Sequence, residues 1–250
     1  MKNIFNKNKI ILGIETSFDD TCCAIIKNNK ILSNKIYTQK IHKKYNGVKP
    51  IKAYNLHLIK IYKIVKLTIE EARIKINDLD GIAYTKGPGL VGSLMIGENF
   101  AKSMALSLRK PLLSINHIHG HIYSIFIYKK RNKYPKFPYI CLSMSGGHTC
   151  IYKIDFFFKN KLIGKTLDDN LGNLFDYFGK LLGFKYPYGV NKISKYSLKG
   201  KYKYKFPIPK INGFNFSFSG LKTYLKNFIK NKKKKKKKKI FVDRLKKLFF

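Results

Sequence analysis

Residues 10–26 read IILGIETSFDDTCCAII, and residues 139–158 read YICLSMSGGHTCIYKIDFFF. Each is an apolar run, a short polar turn and a second apolar run, the pattern of two strands joined by a tight turn. After the first pair, the turn residues 27–30 (KNNK) lead to a third apolar run at Ile31, so the chain opens as a meander. Both turns carry Ser-x-x-x-Thr-Cys, Ser17 to Cys22 and Ser145 to Cys150, 128 residues apart. Six residues are weak alone. Their placement at the same point of two similar meanders predicts an internal duplication and two related α/β lobes.

The stretch between the meanders supports that fold class. Residues 56–72 have helical spacing, residues 79–84 read as a strand, and residues 87–92 (GPGLVG) form a glycine loop before a helix over 94–108. Strand, glycine loop and helix are α/β grammar. A strand over 112–115 and a helix over 117–127 follow. The proline-containing stretch 131–138 marks a junction. The expected organisation is a first lobe over 10–130, a second over 137–231, and a poly-lysine run with a stub over 232–250. In the second lobe, residues 168–183 predict an amphipathic helix. Leu171, Leu174, Phe175, Phe178, Leu181 and Leu182 form one face, with an acidic start that suits the helix dipole. Residues 214–223 (FNFSFSGLKT) alternate like a strand and break into a helix at Ser219-Gly220.

The composition is lopsided. Lys and Arg number 52 against 13 Asp and Glu, a net charge of +39 over 250 residues. Such an excess argues against a balanced acidic surface and points to a polyanion partner. Yet 48 of the cations are Lys and only 4 are Arg, whereas evolved phosphate readers favour Arg forks. Lys, Asn, Ile, Phe and Tyr, all with AT-rich codons, make 136 residues, and Trp is absent. The charge is therefore read mainly as the drift of a low-GC genome. No apolar run reaches the ~18 residues of a membrane span, and the basic residues 1–9 have no apolar core of a secretory signal. Cys22, Cys23, Cys141 and Cys150 form no Cys-x-x-Cys and read as reduced thiols of a cytoplasmic protein.

Four groups of residues could carry chemistry. His117 and His121 stand at i and i+4, so on a helix both imidazoles could reach one metal ion, or both could be surface histidines. The loop Ser143, Met144, Ser145, Gly146, Gly147 could aim backbone N–H groups at an anion, or be an ordinary hairpin turn. The 87–92 loop could bind phosphate or serve close strand–helix packing. Asp19 and Asp20 could take a proton or hold a cation, or form an Asx-type turn. Asp176 lies off the apolar stripe and could be a solvated helix charge.

Taken together, GIETSFDDT, YTKGPGLVGSLMIG, NHIHGH, MSGGHT, TLDDNLGNLFDYFGKLLG with YPYG, and FSFSGLKT occur in order from Gly13 to Thr223. This series resembles the TsaD family of tRNA threonylcarbamoyladenosine transferases, once described as sialoglycoproteases. The resemblance implies a two-lobed fold of the actin, heat-shock-chaperone and hexokinase superfamily, here with an incomplete second lobe. It implies transfer of threonylcarbamoyl from threonylcarbamoyl-AMP to the exocyclic amine of adenosine at tRNA position 37, in tRNAs reading codons that begin with A. By position, His117 and His121 match the family's metal-binding histidines, for one divalent metal ion, iron or zinc. Ser143, Met144, Ser145, Gly146 and Gly147 match its substrate loop. Asp176 and Gly189 match two further substrate contacts, and Asp19 and Asp20 match its catalytic acidic turn. Expected partners are tRNA, a paralogous superfamily subunit and a small ATPase, with no membrane.

The sequence also departs from the family. Asp20 replaces a Glu, residues 45–51 read YNGVKPI without the usual acid, residues 172–177 read GNLFDY, and His119 stands where an acid is common. The family's later Asn-containing glycine loop and its Thr-Asp-Asn element, source of a third metal ligand, are absent. They would follow the eight lysines 232–239, encoded by a slippage-prone run of A, so a frameshift is expected there with residues 240–250 out of frame. Translating the downstream DNA in the other frames tests this. A non-catalytic scaffold of the modification complex is the competing reading. A protease is disfavoured because no His-Glu-x-x-His occurs.

Overall fold

Alternation builds the first sheet. In β1 (Ile10–Glu15), Ile10, Leu12 and Ile14 point inward while their neighbours do not. β1 pairs antiparallel with β2 (Asp20–Lys27), which pairs with β3 (Lys30–Thr38). The β2–β3 turn is Asn28-Asn29, with φ of 51° and 62°. Positive φ at both central residues suits a tight hairpin, and Asn tolerates it better than most residues. β4 (Gly81–Gly87) lies parallel to β1, and β5 (Leu112–Asn116) parallel to β4, giving the order β3-β2-β1-β4-β5. The computed structural model describes residues 8–45, 47–127, 134–144, 147–184, 189–198 and 206–233. It divides into two units, Met1–Tyr134 and Pro135–Phe250.

Three helices belong to the first unit: α1 (Pro50–Ala72), α2 (Val91–Leu108) and α3 (His117–Tyr123). α1 begins six residues before the predicted start because Pro50 sits at its first turn, where a fixed φ and a missing N–H cost nothing. Ile61, Ile64 and Val65 of α1 and Ile96, Ala101 and Ala105 of α2 join Leu12, Ile25, Leu79 and Ile82 in one core. Each large aliphatic buried there contributes about 1.5–3 kcal/mol. α3 is shorter than expected, passing into a 3₁₀ turn at Ser124–Phe126.

In the second unit, β6 (Tyr139–Met144), β7 (Thr149–Phe156) and β8 (Lys159–Lys165) form an antiparallel sheet. α4 (Leu171–Leu181), α5 (Gly189–Ser197) and α6 (Ser219–Lys233) bury Leu171, Leu174, Phe178, Ile193, Leu221, Leu225 and Ile229 together. The two hairpins share one register. Adding 128 to both members of Glu15↔Cys22 gives Ser143↔Cys150, and Leu12↔Ile25 becomes Ile140↔Lys153. A common register across five consecutive pairs supports the duplication far more strongly than the six-residue motif does.

One expectation is corrected. Asp168 and Asp169 do not lie in the first turn of α4, which starts at Leu171. Asp168 instead accepts hydrogen bonds from Phe218 N at 2.8 Å, Ser219 N at 3.3 Å and Ser217 Oγ at 2.5 Å, capping α6 from a distant stretch of chain. The strand expected over 214–218 reduces to a single bridge between Thr166 and Phe216.

Candidate active site

In the first unit, the ends of β1, β4 and β5 meet at His117. Asn116 ends β5 and caps α3, accepting from Ile118 N at 2.9 Å and His119 N at 3.4 Å, so the helix starts on the histidine itself. The i, i+4 spacing then brings His117 Nε2 and His121 Nε2 to 3.0 Å, with the rings edge-on at 86°. On the other side of the ring, His117 Nδ1 lies 3.1 Å from Glu15 Oε2 and 3.4 Å from Ser17 Oγ. Thr85 Oγ1 also donates to Glu15 Oε2, and the Ser17 amide donates to Glu15 Oε1. Burial alone would raise the Glu15 carboxyl, but donors from His117, Ser17 and Thr85 outweigh it and hold the pKa at about 2. Burial and the neighbouring His117 lower His121, which favours the neutral, ligating form. His119 is half-buried rather than solvated, its ring 5.9 Å from that of Tyr123.

Two nitrogens bonded to one ion at about 2.0–2.1 Å stand roughly 2.9–3.4 Å apart at angles between ~90° and ~109°. The 3.0 Å spacing of the two Nε2 atoms fits a shared ion. Among the described residues, no group of three His, Cys, Asp or Glu is arranged to hold a metal. The pair is half of such a site.

The acidic turn follows Ser17, whose Oγ reaches His117, and is tied down by His57 and Gln39. His57 is fully buried, and burial lowers its pKa, keeping it neutral. Its Nε2 donates to the Phe18 carbonyl at 3.0 Å, and its Nδ1 accepts from Thr21 Oγ1 at 2.8 Å. The Asp19 carbonyl accepts from Gln39 N at 3.1 Å. Asp20 Oδ1 is buried and has no hydrogen-bond partner among the described residues. Cys22 follows the turn, and burial together with Asp20 and Glu15 pushes its thiol up to about 12, so it is no nucleophile. The glycine loop serves packing. Leu90 N donates to the Ser17 carbonyl at 2.8 Å, and a Cβ on Gly89 would stand 2.5 Å from that oxygen.

In the second unit, Ser143 and Met144 end β6, with Ser143 buried and Met144 half exposed. Ser145 and Gly146 lie outside the described residues, as do residues 185–188 and most of the poly-lysine run. Beyond them, a Cβ on Gly147 would meet open space, and the Gly147 carbonyl accepts from Asn170 Nδ2 at 2.9 Å. Thr149 Oγ1 accepts from Leu171 N at 3.1 Å, so the hairpin is tied to the start of α4 at two points. Asp176, on α4, is half-buried, and burial raises its pKa, which argues against a freely solvated charge. Gly189 begins α5, which packs against α4.

Sequence reasoning missed Glu15, Thr85 and Asn170, whereas Thr149 stood out as the Thr of the repeated Ser-x-x-x-Thr-Cys turn. Of those missed, only Glu15 carried a signal: an acid closing an apolar strand, two residues before a serine turn.

A model of the TsaD family, described as tRNA N6-adenosine threonylcarbamoyltransferase, matches residues 30–247. A protein of that name from Christiangramia forsetii is 45% identical over 221 residues, 88% of this chain and 65% of the relative. One from Wigglesworthia glossinidia brevipalpis is 47% identical over 227 residues, covering 89% and 66%. The chain thus spans about two thirds of the length of the curated relatives it matches. Among solved structures, full-length HypF in a phosphate- and nucleotide-bound form aligns with a TM-score of 0.48 and 14% identity, over 97% of this chain and 45% of that one.

Proposed function

The chain belongs to the tRNA N6-adenosine threonylcarbamoyltransferase family, and on that premise we propose that it transfers threonylcarbamoyl from threonylcarbamoyl-AMP to the exocyclic amine of adenosine 37 in tRNAs reading codons that begin with A. The observation that carries the reading is the histidine pair, with its two Nε2 atoms 3.0 Å apart and a carboxylate behind one ring. A scaffold has no need of such an arrangement.

In this reading, His117 and His121 hold one divalent ion, iron by family and zinc by donor type. An ion held there would supply Lewis-acid polarisation of a substrate oxygen. The amine nitrogen attacks the carbamoyl carbon, the bond from that carbon to the phosphate oxygen breaks, and AMP leaves. Asp19 accepts the amine proton, with Asp20 beside it on the same turn. By resemblance to the family, Ser143, Met144, Ser145, Gly146 and Gly147 would bind the adenylate, with Asp176 and Gly189 as further contacts. The amine is a weak nucleophile and the phosphate a good leaving group, so positioning supplies much of the rate. A paralogous subunit and a small ATPase complete the system in the cytoplasm. Support for a protein partner comes from exposed apolar residues on α1 (Ile51, Leu58, Tyr62) and α2 (Val91, Met95), which pack side by side.

The test is reconstitution of the whole chain with its companion proteins, threonylcarbamoyl-AMP and a cognate tRNA, followed by mass spectrometry of the nucleosides. The modified adenosine is expected, with a loss of at least about 100-fold for His117→Ala or His121→Ala. Assembly with companions but no product from the wild-type chain would instead establish the scaffold reading.

A further inference from the structure

We propose that Glu15 is a positioning residue for the histidine pair: its carboxylate takes the Nδ1–H of His117 and so turns the His117 Nε2 lone pair toward His121, where the two nitrogens form half of a site for a divalent transition-metal ion. This inference rests on the metal reading above and extends it to a residue outside the ligand set.

The geometry leaves Glu15 one role. Its Oε2 lies 3.1 Å from Nδ1, on the side of the ring away from His121. Glu15 forms no three-residue metal group with the histidines. The carboxylate is itself fixed by Thr85 Oγ1 near the end of β4 and by the Ser17 amide just past its own strand β1. An anion accepts but does not donate, so the shared proton resides on Nδ1 and Nε2 keeps its lone pair. In the metal-free chain the 3.0 Å contact between the two Nε2 atoms then runs from His121 Nε2–H to His117, and ligation by His121 would require that proton to move to its Nδ1. Carboxylate partners of this kind fix the tautomer and ring angle of ligating histidines. The relay Thr85–Glu15–His117–His121 spans β4, β1 and α3.

Two measurements on the full chain test this. Zn²⁺ affinity is read by competition with a chromophoric chelator for wild type, Glu15→Gln, Glu15→Ala and His117→Ala. Affinity should fall about 10–100-fold in the Glu15 variants, with Glu15→Gln the milder because its amide oxygen still accepts. The ¹⁵N chemical shifts of the His117 ring in the metal-free wild type should place the proton on Nδ1, a signature no general loss of stability imitates and one that needs no variant to fold. A proton on Nε2, or Glu15 variants binding Zn²⁺ as tightly as wild type while His117→Ala does not, would overturn the role of Glu15 and leave the metal reading standing. Equal Zn²⁺ binding by wild type and His117→Ala would overturn the metal reading, and the role of Glu15 with it.

Discussion

Gly97 has room for a hydrogen and nothing larger. A Cβ there would stand 2.3 Å from Thr16 Oγ1, which donates to the Ser93 carbonyl at 2.8 Å. That contact locks the residue after Glu15 against α2, so the acidic turn and the carboxylate behind His117 are set by how closely one helix backbone approaches. Gly97→Ala must push Thr16 off its acceptor or move the helix. Overpacking of this kind costs about 1–3 kcal/mol. Urea unfolding of the whole chain should show that loss, and Zn²⁺ affinity should fall with it because Glu15 shifts. An unchanged midpoint would mean the turn is free to move. Little of this was legible in sequence: GPGLVGSLMIG announced close approach somewhere, but which atom Gly89 or Gly97 faces depends on residues just past a strand end, 72 and 81 positions earlier. Glu15 was hidden for a related reason, since a terminal acid on a buried strand looks like a boundary until Thr85 and His117 fold onto it.

Elements were more legible than their termini. Apolar runs around short polar turns gave the hairpins, the 3.6-residue spacing gave α1 and α4, and the glycine loop between a strand and an apolar run gave α2. β8 escaped notice: KNKLIGK carries three lysines in seven residues and shows no clean alternation. The acidic start assigned to α4 belongs to α6, and this has a measurable consequence. Burial would raise Asp168, but hydrogen bonds from Phe218 N, Ser217 Oγ, Asp169 N and Ser219 N win and hold it at about 2, below the ordinary 3.8. A depressed carboxyl contributes stability that is present above about pH 3.8 and lost as pH falls toward 2. Asp168→Asn should cost about 1 kcal/mol at neutral pH, the worth of a helix cap at an exposed site. The gap between variant and wild type should close between pH 4 and pH 2, followed by urea midpoints across that range. A gap that persists at pH 2 would show that shape rather than charge caps the helix. Asp169 adds a second tie, 2.5 Å from Lys222 Nζ, which also lies 4.9 Å over the Tyr177 ring.

At the scale of the whole molecule, charge and site oppose each other. The net charge is +39, yet three of the 13 acids fall within residues 15–20, around the proposed metal and proton-transfer groups. The lysines supply a diffuse field that any polyanion feels, whereas the proposed chemistry rests on a short acidic stretch of sequence and two histidines. Non-specific affinity for RNA and specificity of transfer should therefore separate experimentally. Counterion release makes RNA binding fall roughly 10³–10⁵-fold between 50 and 200 mM salt for six to ten phosphate contacts, irrespective of sequence. Cognate and non-cognate tRNAs should show the same salt slope in filter binding, while only the cognate one is modified. Replacing lysines 232–239 with serine should shallow that slope by several phosphate contacts and leave the rate of adenosine modification within about twofold. A tenfold fall in rate at physiological salt would instead make the run part of the tRNA site, and the excess of lysine would be functional rather than compositional.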